Sequence, residues 1–234
     1  MQHLIVLAHP NPKSFSATIA THIHHLSKDL GNAVYVRDLY KGKYNPVLSA
    51  EDFISLQKGV TPKDIRTEQA LIAAADLITL IFPLWWTGYP AIMKGWIDRT
   101  LLHGFAFKFN QETGAVPLLT GKKIQIITTM GASVNEYEAN GLMDAMAMTM
   151  GDNVWSYCGF DDAGMIVLGD IPGMSDKERM SIITEIEDTL VLAMATDAGA
   201  ARPAKKTKTA KNAPAKKAPA KKAPAKKKPA AKKK

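Results

Sequence analysis

Residues 80–99 read LIFPLWWTGYPAIMKGWIDR, and the fold turns on them. An apolar run closes at Pro83, two tryptophans follow, Gly88 and Pro90 punctuate the backbone, and a helix-like segment opens at Ala91. Strand, aromatic loop, helix is the order of a parallel α/β sheet, in which loops leaving the carboxyl ends of strands gather helix amino termini and unspent backbone amides around a ligand. Broad aromatic faces beside N–H groups suit a flat, hydrogen-bonding ring system better than a metal or a sugar. Trp85 and Trp86 would fill core if the segment behind them were apolar. That segment is Thr-Gly-Tyr-Pro, so they are expected on a rim.

Two further strand ends share this character. Residues 4–8 form a continuous apolar run, as in a central parallel strand covered on both faces, and stop at His9. The loop that follows, His-Pro-Asn-Pro-Lys-Ser-Phe-Ser, leads into a helix over residues 17–29. Ser14 and Ser16 can cap that helix, and their hydroxyls with the adjacent N–H groups can equally cradle a phosphate. Residues 33–36 make a second strand, a polar connection carries turns at Asn45-Pro46 and Thr61-Pro62, and residues 64–75 supply the next helix. Residues 77–82 are the strand feeding the tryptophan loop. Residues 123–129 form another, ending in Thr-Thr-Met-Gly-Ala-Ser. Ligand-type loops therefore recur near His9, Pro83 and Thr128. Residues 155–160 and 165–168 are read as the last strand and its extension, and 175–195 as a closing helix capped by Ser175.

Other features carry less. His22, His24 and His25 lie on the first helix, only His22 and His25 share a face, and no carboxylate is placed nearby to complete a metal site, so no metal is assigned. Met143, Met146, Met148 and Met150 at helical spacing are read as core or interface. A single cysteine, Cys158, excludes an intramolecular disulfide and fits a reducing compartment; the start lacks the basic region of a secretion signal, and no segment is apolar enough to span a bilayer, so the expectation is cytoplasmic.

The net charge of +8 hides two halves. Residues 201–234 hold fourteen Lys and one Arg without an acid, which leaves 15 basic against 22 acidic residues, about −7, for the rest. From Lys211 the chain repeats KNAPA, KKAPA, KKAPA, KKKPA. Proline, like charge and the lack of large apolar residues predict a disordered basic tail over 199–234 beside a folded domain over 1–198. Its expected partners are polyanions such as nucleic acid, bound without base reading.

Taken together, FPLWWTGYPAIMKGWIDR, LAHPNPKSFS, ITTMGASVNEY and Cys-Gly-Phe at Cys158 to Phe160 resemble the flavin-dependent NAD(P)H:quinone oxidoreductases, the DT-diaphorase-like branch of the flavodoxin-like fold. The similarity covers roughly residues 1–195. It implies a three-layer α/β sandwich with a five-stranded parallel sheet of order 2-1-3-4-5, a homodimer, and ping-pong transfer of a hydride from NADPH or NADH through flavin to a quinone. It further implies that His9, Ser14, Phe15, Ser16 and Ala17 hold the flavin's ribityl phosphate, that Pro83, Leu84, Trp85 and Trp86 lie against its ring, and that Thr128, Thr129 and Gly131 run along the ring's pyrimidine side. Tyr137 falls where the family keeps a catalytic tyrosine. Phe107 and Phe109 fall where it places substrate-covering tyrosines from the partner subunit. The histidine that vertebrate members carry a few residues after the tyrosine is missing, since this chain runs Tyr-Glu-Ala-Asn-Gly. The short connection over residues 45–63 favours FMN over FAD. Two alternative functions share these motifs: a flavin-binding ancillary regulator of a potassium-efflux transporter, and a nucleoid-associated protein acting through its tail.

Overall fold

The computed structural model describes residues 1–195 and 208–209. In chain order its first half comprises β1 (Gln2–Leu7), α1 (Phe15–Asp29), β2 (Ala33–Asp38), α2 (Ala50–Gln57), α3 (Lys63–Ala74), β3 (Leu77–Pro83) and α4 (Ala91–Thr100). The second half comprises β4 (Phe107–Asn110), β5 (Gly114–Pro117), β6 (Lys123–Thr129), α5 (Val134–Ala139), α6 (Leu142–Met146), α7 (Asn153–Cys158), β7 (Asp161–Leu168) and α8 (Asp176–Ala195). A π-turn over Ala147–Asp152 joins α6 to α7.

The central sheet runs β2-β1-β3-β6-β7, all parallel, which is the expected five-stranded order with a hairpin, β4–β5, inserted before the fourth strand. Lys208–Thr209 pairs parallel with β7 at Ile166 and Val167; the rest of the predicted tail lies outside the described residues. β3 is buried along its whole length, as its unbroken apolar run requires. α1 and α8 cover one face through Ile19, Ile23, Ile183 and Ile186, while α3, α4 and the run from α5 to α7 cover the other through Ile72, Met93, Trp96, Met143 and Trp155. Each such side chain taken from water contributes about 1.5–3 kcal/mol.

Several expectations need correction. Residues 155–158 are helical: Trp155 and Cys158 are both buried at a spacing of three, Gly159 reverses the chain at φ 100°, and β7 starts only at Asp161. The four methionines at helical spacing lie not on one α-helix but on α6 and the π-turn, with Met143, Met146 and Met150 buried and Met148 exposed. The polar connection contains α2, opened by a capping box between Ser49 and Asp52. A carboxylate does reach the histidine helix, since Glu187 of α8 lies 3.4 Å from Nδ1 of His22. Ser14 caps α1 by accepting from the Ala17 N–H, whereas Ser16 sits inside the helix. Ser175 and Glu178 cap α8 reciprocally.

Candidate active site

Thr129, the last residue of β6, joins the three strand-end loops. Its hydroxyl lies 3.1 Å from that of Ser16 in the first turn of α1, and its carbonyl accepts the Leu84 N–H at 2.7 Å. Ser16 and Thr129 are buried, as are Pro83, Leu84 and Thr128. Residues 113 positions apart in the chain thus meet across the carboxyl edge of the sheet. Gly169, at the end of β7, closes the third loop from below: a Cβ there would stand 2.7 Å from the Ala132 carbonyl oxygen, so only glycine fits.

At the first loop, the N–H groups of Phe15 and Ser16 make no hydrogen bond among the described residues, and the positive end of α1's dipole lies there. His9 is half-buried, and burial holds its imidazole below the ordinary value. Its Nδ1 accepts the Asn11 N–H at 3.0 Å, which leaves the ring proton on Nε2. Arg179 of α8 stands over the Phe15 ring at 5.6 Å, and its buried Nε has no partner among the described residues. Sequence reasoning missed Arg179 because nothing local marks it; only the packing of α8 on α1 brings a cation to this helix end.

The second loop is a tight turn. Trp85 and Gly88 bridge each other at 3.3 and 3.1 Å, and between them Trp86 and Thr87 take φ of 52° and 57°. Successive left-handed residues make a type I′ turn, a geometry that favours Asn-Gly and is an outlier for a β-branched threonine. Residues held this way cost of order 1–3 kcal/mol each and mark functional sites. Trp85 is 43% and Trp86 101% exposed, so the pair stands on a rim, as its polar surroundings predicted. The N–H groups of Trp86 and Thr87 are unspent among the described residues. The Thr87 hydroxyl lies 3.4 Å from that of Tyr137 on α5, bringing the candidate catalytic tyrosine to this turn. Gly131 is exposed on the third loop, and the buried Thr128 hydroxyl has no partner among the described residues.

Phe107 and Phe109 are elsewhere. α4 leads away from the tryptophan loop for ten residues, about 15 Å, and the chain leaving the hairpin that follows is bonded from the Leu119 N–H to the Cys158 carbonyl, ahead of β6 and β7. There Phe107 and Phe109 pack with His103 and Tyr157 in an aromatic cluster, with Phe109 67% exposed. Within one chain they do not join the other candidates.

Unspent donors at two loops, an orphaned arginine nitrogen and an orphaned threonine hydroxyl fit a planar heterocycle bearing a phosphate. Among the described residues no group of three or more His, Cys, Asp or Glu is arranged to hold a metal. Sheet order and loop convergence define a flavodoxin-like α/β protein. The chain belongs to the flavodoxin-like fold family, whose model matches residues 1–190. It is 41% identical over 184 residues to an uncharacterized NAD(P)H oxidoreductase of Haemophilus influenzae, covering 78% of this chain and 91% of that one. It is 32% identical over 177 residues to rat NAD(P)H dehydrogenase (quinone) 1, covering 67% of this chain and 64% of that enzyme. Among solved structures it resembles the NAD(P)H:quinone oxidoreductase of Methanothermobacter marburgensis, with a TM-score of 0.70 and 27% identity over 80% of this chain and 94% of that one.

Proposed function

We propose that this chain is a flavin-dependent NAD(P)H:quinone oxidoreductase, with FMN as cofactor and FAD as the alternative. The observation that carries the reading is the junction at Thr129, which assembles the three donor-bearing loops into one slot. Bound flavin supplies the chemistry that no side chain here offers, accepting a hydride from NADPH or NADH and passing it to a quinone.

The chain's own residues bind and polarise. Ser14, Ser16, Ala17 and the first-turn N–H groups of Phe15 and Ser16 hold the phosphate at the positive end of α1, with His9 as an Nε2–H donor and Arg179 as counter-charge. Pro83 and Leu84 fix the approach of the loop, Trp85 and Trp86 give it aromatic faces, and the Trp86 and Thr87 amides donate to ring heteroatoms. Thr128, Thr129 and Gly131 bound the opposite ring edge. The Tyr137 hydroxyl donates where negative charge gathers, and a donor fixed in advance stabilises such charge more than mobile water does. No histidine follows Tyr137 in the run Tyr-Glu-Ala-Asn-Gly, so Tyr137 works here without that partner.

Phe107 and Phe109 then cover the acceptor only if a second copy delivers them, which supports a homodimer. The single cysteine, Cys158, is free and buried, which suits a cytoplasmic protein. No helix among the described residues is long and apolar enough to cross a membrane. The basic tail is a non-specific tether to nucleic acid or another polyanion.

The test is purification followed by mass measurement of the released cofactor and assay with NADPH and menadione. A yellow protein releasing FMN and turning over with ping-pong kinetics is expected. A colourless protein that refuses FMN and FAD, or a loaded one inert toward quinone, nitroaromatic and azo acceptors, overturns the reading.

A further inference from the structure

The strained Trp86–Thr87 turn needs a restraint, and the nearest one is a later residue of the same loop. Tyr89 follows the turn directly, its ring packed on Phe82 at 5.0 Å. Its hydroxyl donates to the Met150 carbonyl and accepts from the Trp155 indole N–H at 3.2 Å. Met150 sits inside the π-turn, where its carbonyl takes two side-chain donors, Tyr89 and, at 3.1 Å, Trp155. A π-turn within a helical run is uncommon and recurs at functional sites. The run from α5 to α7 that contains it begins with the segment bearing Tyr137. The tryptophan loop is therefore tied to that run twice: firmly through Tyr89, and through the Thr87–Tyr137 contact, which at 3.4 Å is longer than an ordinary hydroxyl bond.

We propose that Tyr89 is a positioning residue: its grip on the Met150 carbonyl holds Trp86 and Thr87 left-handed and sets their spacing from Tyr137 before any cofactor arrives. Sequence reasoning passed over it as part of a polar turn. The proposal rests on the flavin reading of the site, but its first readout needs no flavin.

Tyr89→Phe keeps the ring and its packing and removes only the hydroxyl, while Trp155 retains its bond to Met150. In cofactor-free protein, amide exchange at Trp85 and Gly88, whose N–H groups close the turn, is expected to quicken about tenfold with exchange in β3 unchanged. In loaded protein, FMN binding weakens about tenfold and kcat falls while the quinone KM holds, as expected when donors are displaced by a fraction of an ångström. Thr87→Asn in the same background restores both, because asparagine enters the left-handed region more readily than threonine. The proposal is overturned if Tyr89→Phe matches wild type in turn exchange and FMN affinity, if its losses merely track a lowered melting temperature, or if Thr87→Asn fails to reverse them. A wild-type chain that takes no flavin would sink the reading of the site, yet leave the exchange comparison to decide the tether.

Discussion

His3 sits on β1 with its ring almost wholly buried. Its Nδ1 pairs with the Ser27 hydroxyl at 3.0 Å and its Nε2 with the Thr79 hydroxyl at 2.8 Å, and Thr79 in turn donates to Gln125 at 3.4 Å. This polar file crosses α1, β1, β3 and β6 beneath the site. Burial, with a smaller contribution from His24, lowers the His3 pKa from 6.5 to about 4. Between those values the unfolded chain binds the proton and the folded chain does not. Stability therefore rises with pH across the window: the contribution is whole above about 6.5 and lost by about 4, worth roughly 3 kcal/mol. His9 and His24, also held low by burial, act in the same direction, so the informative quantity is a difference. Urea unfolding at pH 7, 5.5 and 4.5 should show wild type losing stability more steeply than His3→Gln, which keeps a polar group and cannot titrate. Parallel slopes would remove His3 from the account.

Arg99 of α4 ties together α2 and α3, of which α2 has little apolar contact of its own. Its Nε and Nη2 grip both oxygens of Asp52 on α2 at 3.0 and 3.1 Å, and its Nη1 bonds Asp64 on α3 at 2.6 Å and the Asn45 carbonyl at 2.9 Å. Arg99 and Asp52 are both buried, so removing the cation strands a carboxylate away from water. Arg99→Ala should cost about 3–5 kcal/mol by urea denaturation, and Arg99→Lys should recover only part because an ammonium cannot reproduce the fork. This contact explains why the sequence hid α2. Phe53 and Ile54 there are exposed, leaving no apolar stripe, and the helix's anchor lies 47 residues downstream. Its capping box at Ser49 and Asp52 was the one local signal. By contrast β1, β3 and β6 were legible because strands buried on both faces must be apolar throughout, and their ends announced the loops. The candidate site was legible where it is local, in the Trp-Trp-Thr-Gly turn and the Ser14 cap. It was not legible at Arg179 or Tyr89, whose partners exist only after α8 and the π-turn have packed. Residues 155–158 were misread because a four-residue apolar run satisfies strand and helix alike.

At the scale of the whole molecule, charge divides what the fold does not. The family match ends at residue 190 and the continuous described chain at 195, while fifteen basic residues and no acid follow from residue 201. The domain itself is acidic, so a polyanion approaching it is repelled except at the tail. Binding through such a segment releases counterions, and log affinity then falls linearly with log salt, with a slope of about −0.9 per phosphate neutralised on duplex DNA. The full chain should bind a short duplex at low salt without regard to sequence, weaken steeply as salt rises, and compete with heparin. A chain ending at residue 198 should lose that affinity while keeping FMN and quinone turnover within about twofold, since no candidate site residue lies beyond Arg179. Fluorescence anisotropy across a salt series, beside steady-state assay of both forms, checks the two halves together. Equal DNA affinity in the shortened form would place the polyanion surface on the domain, and a loss of turnover would tie the tail to the active site.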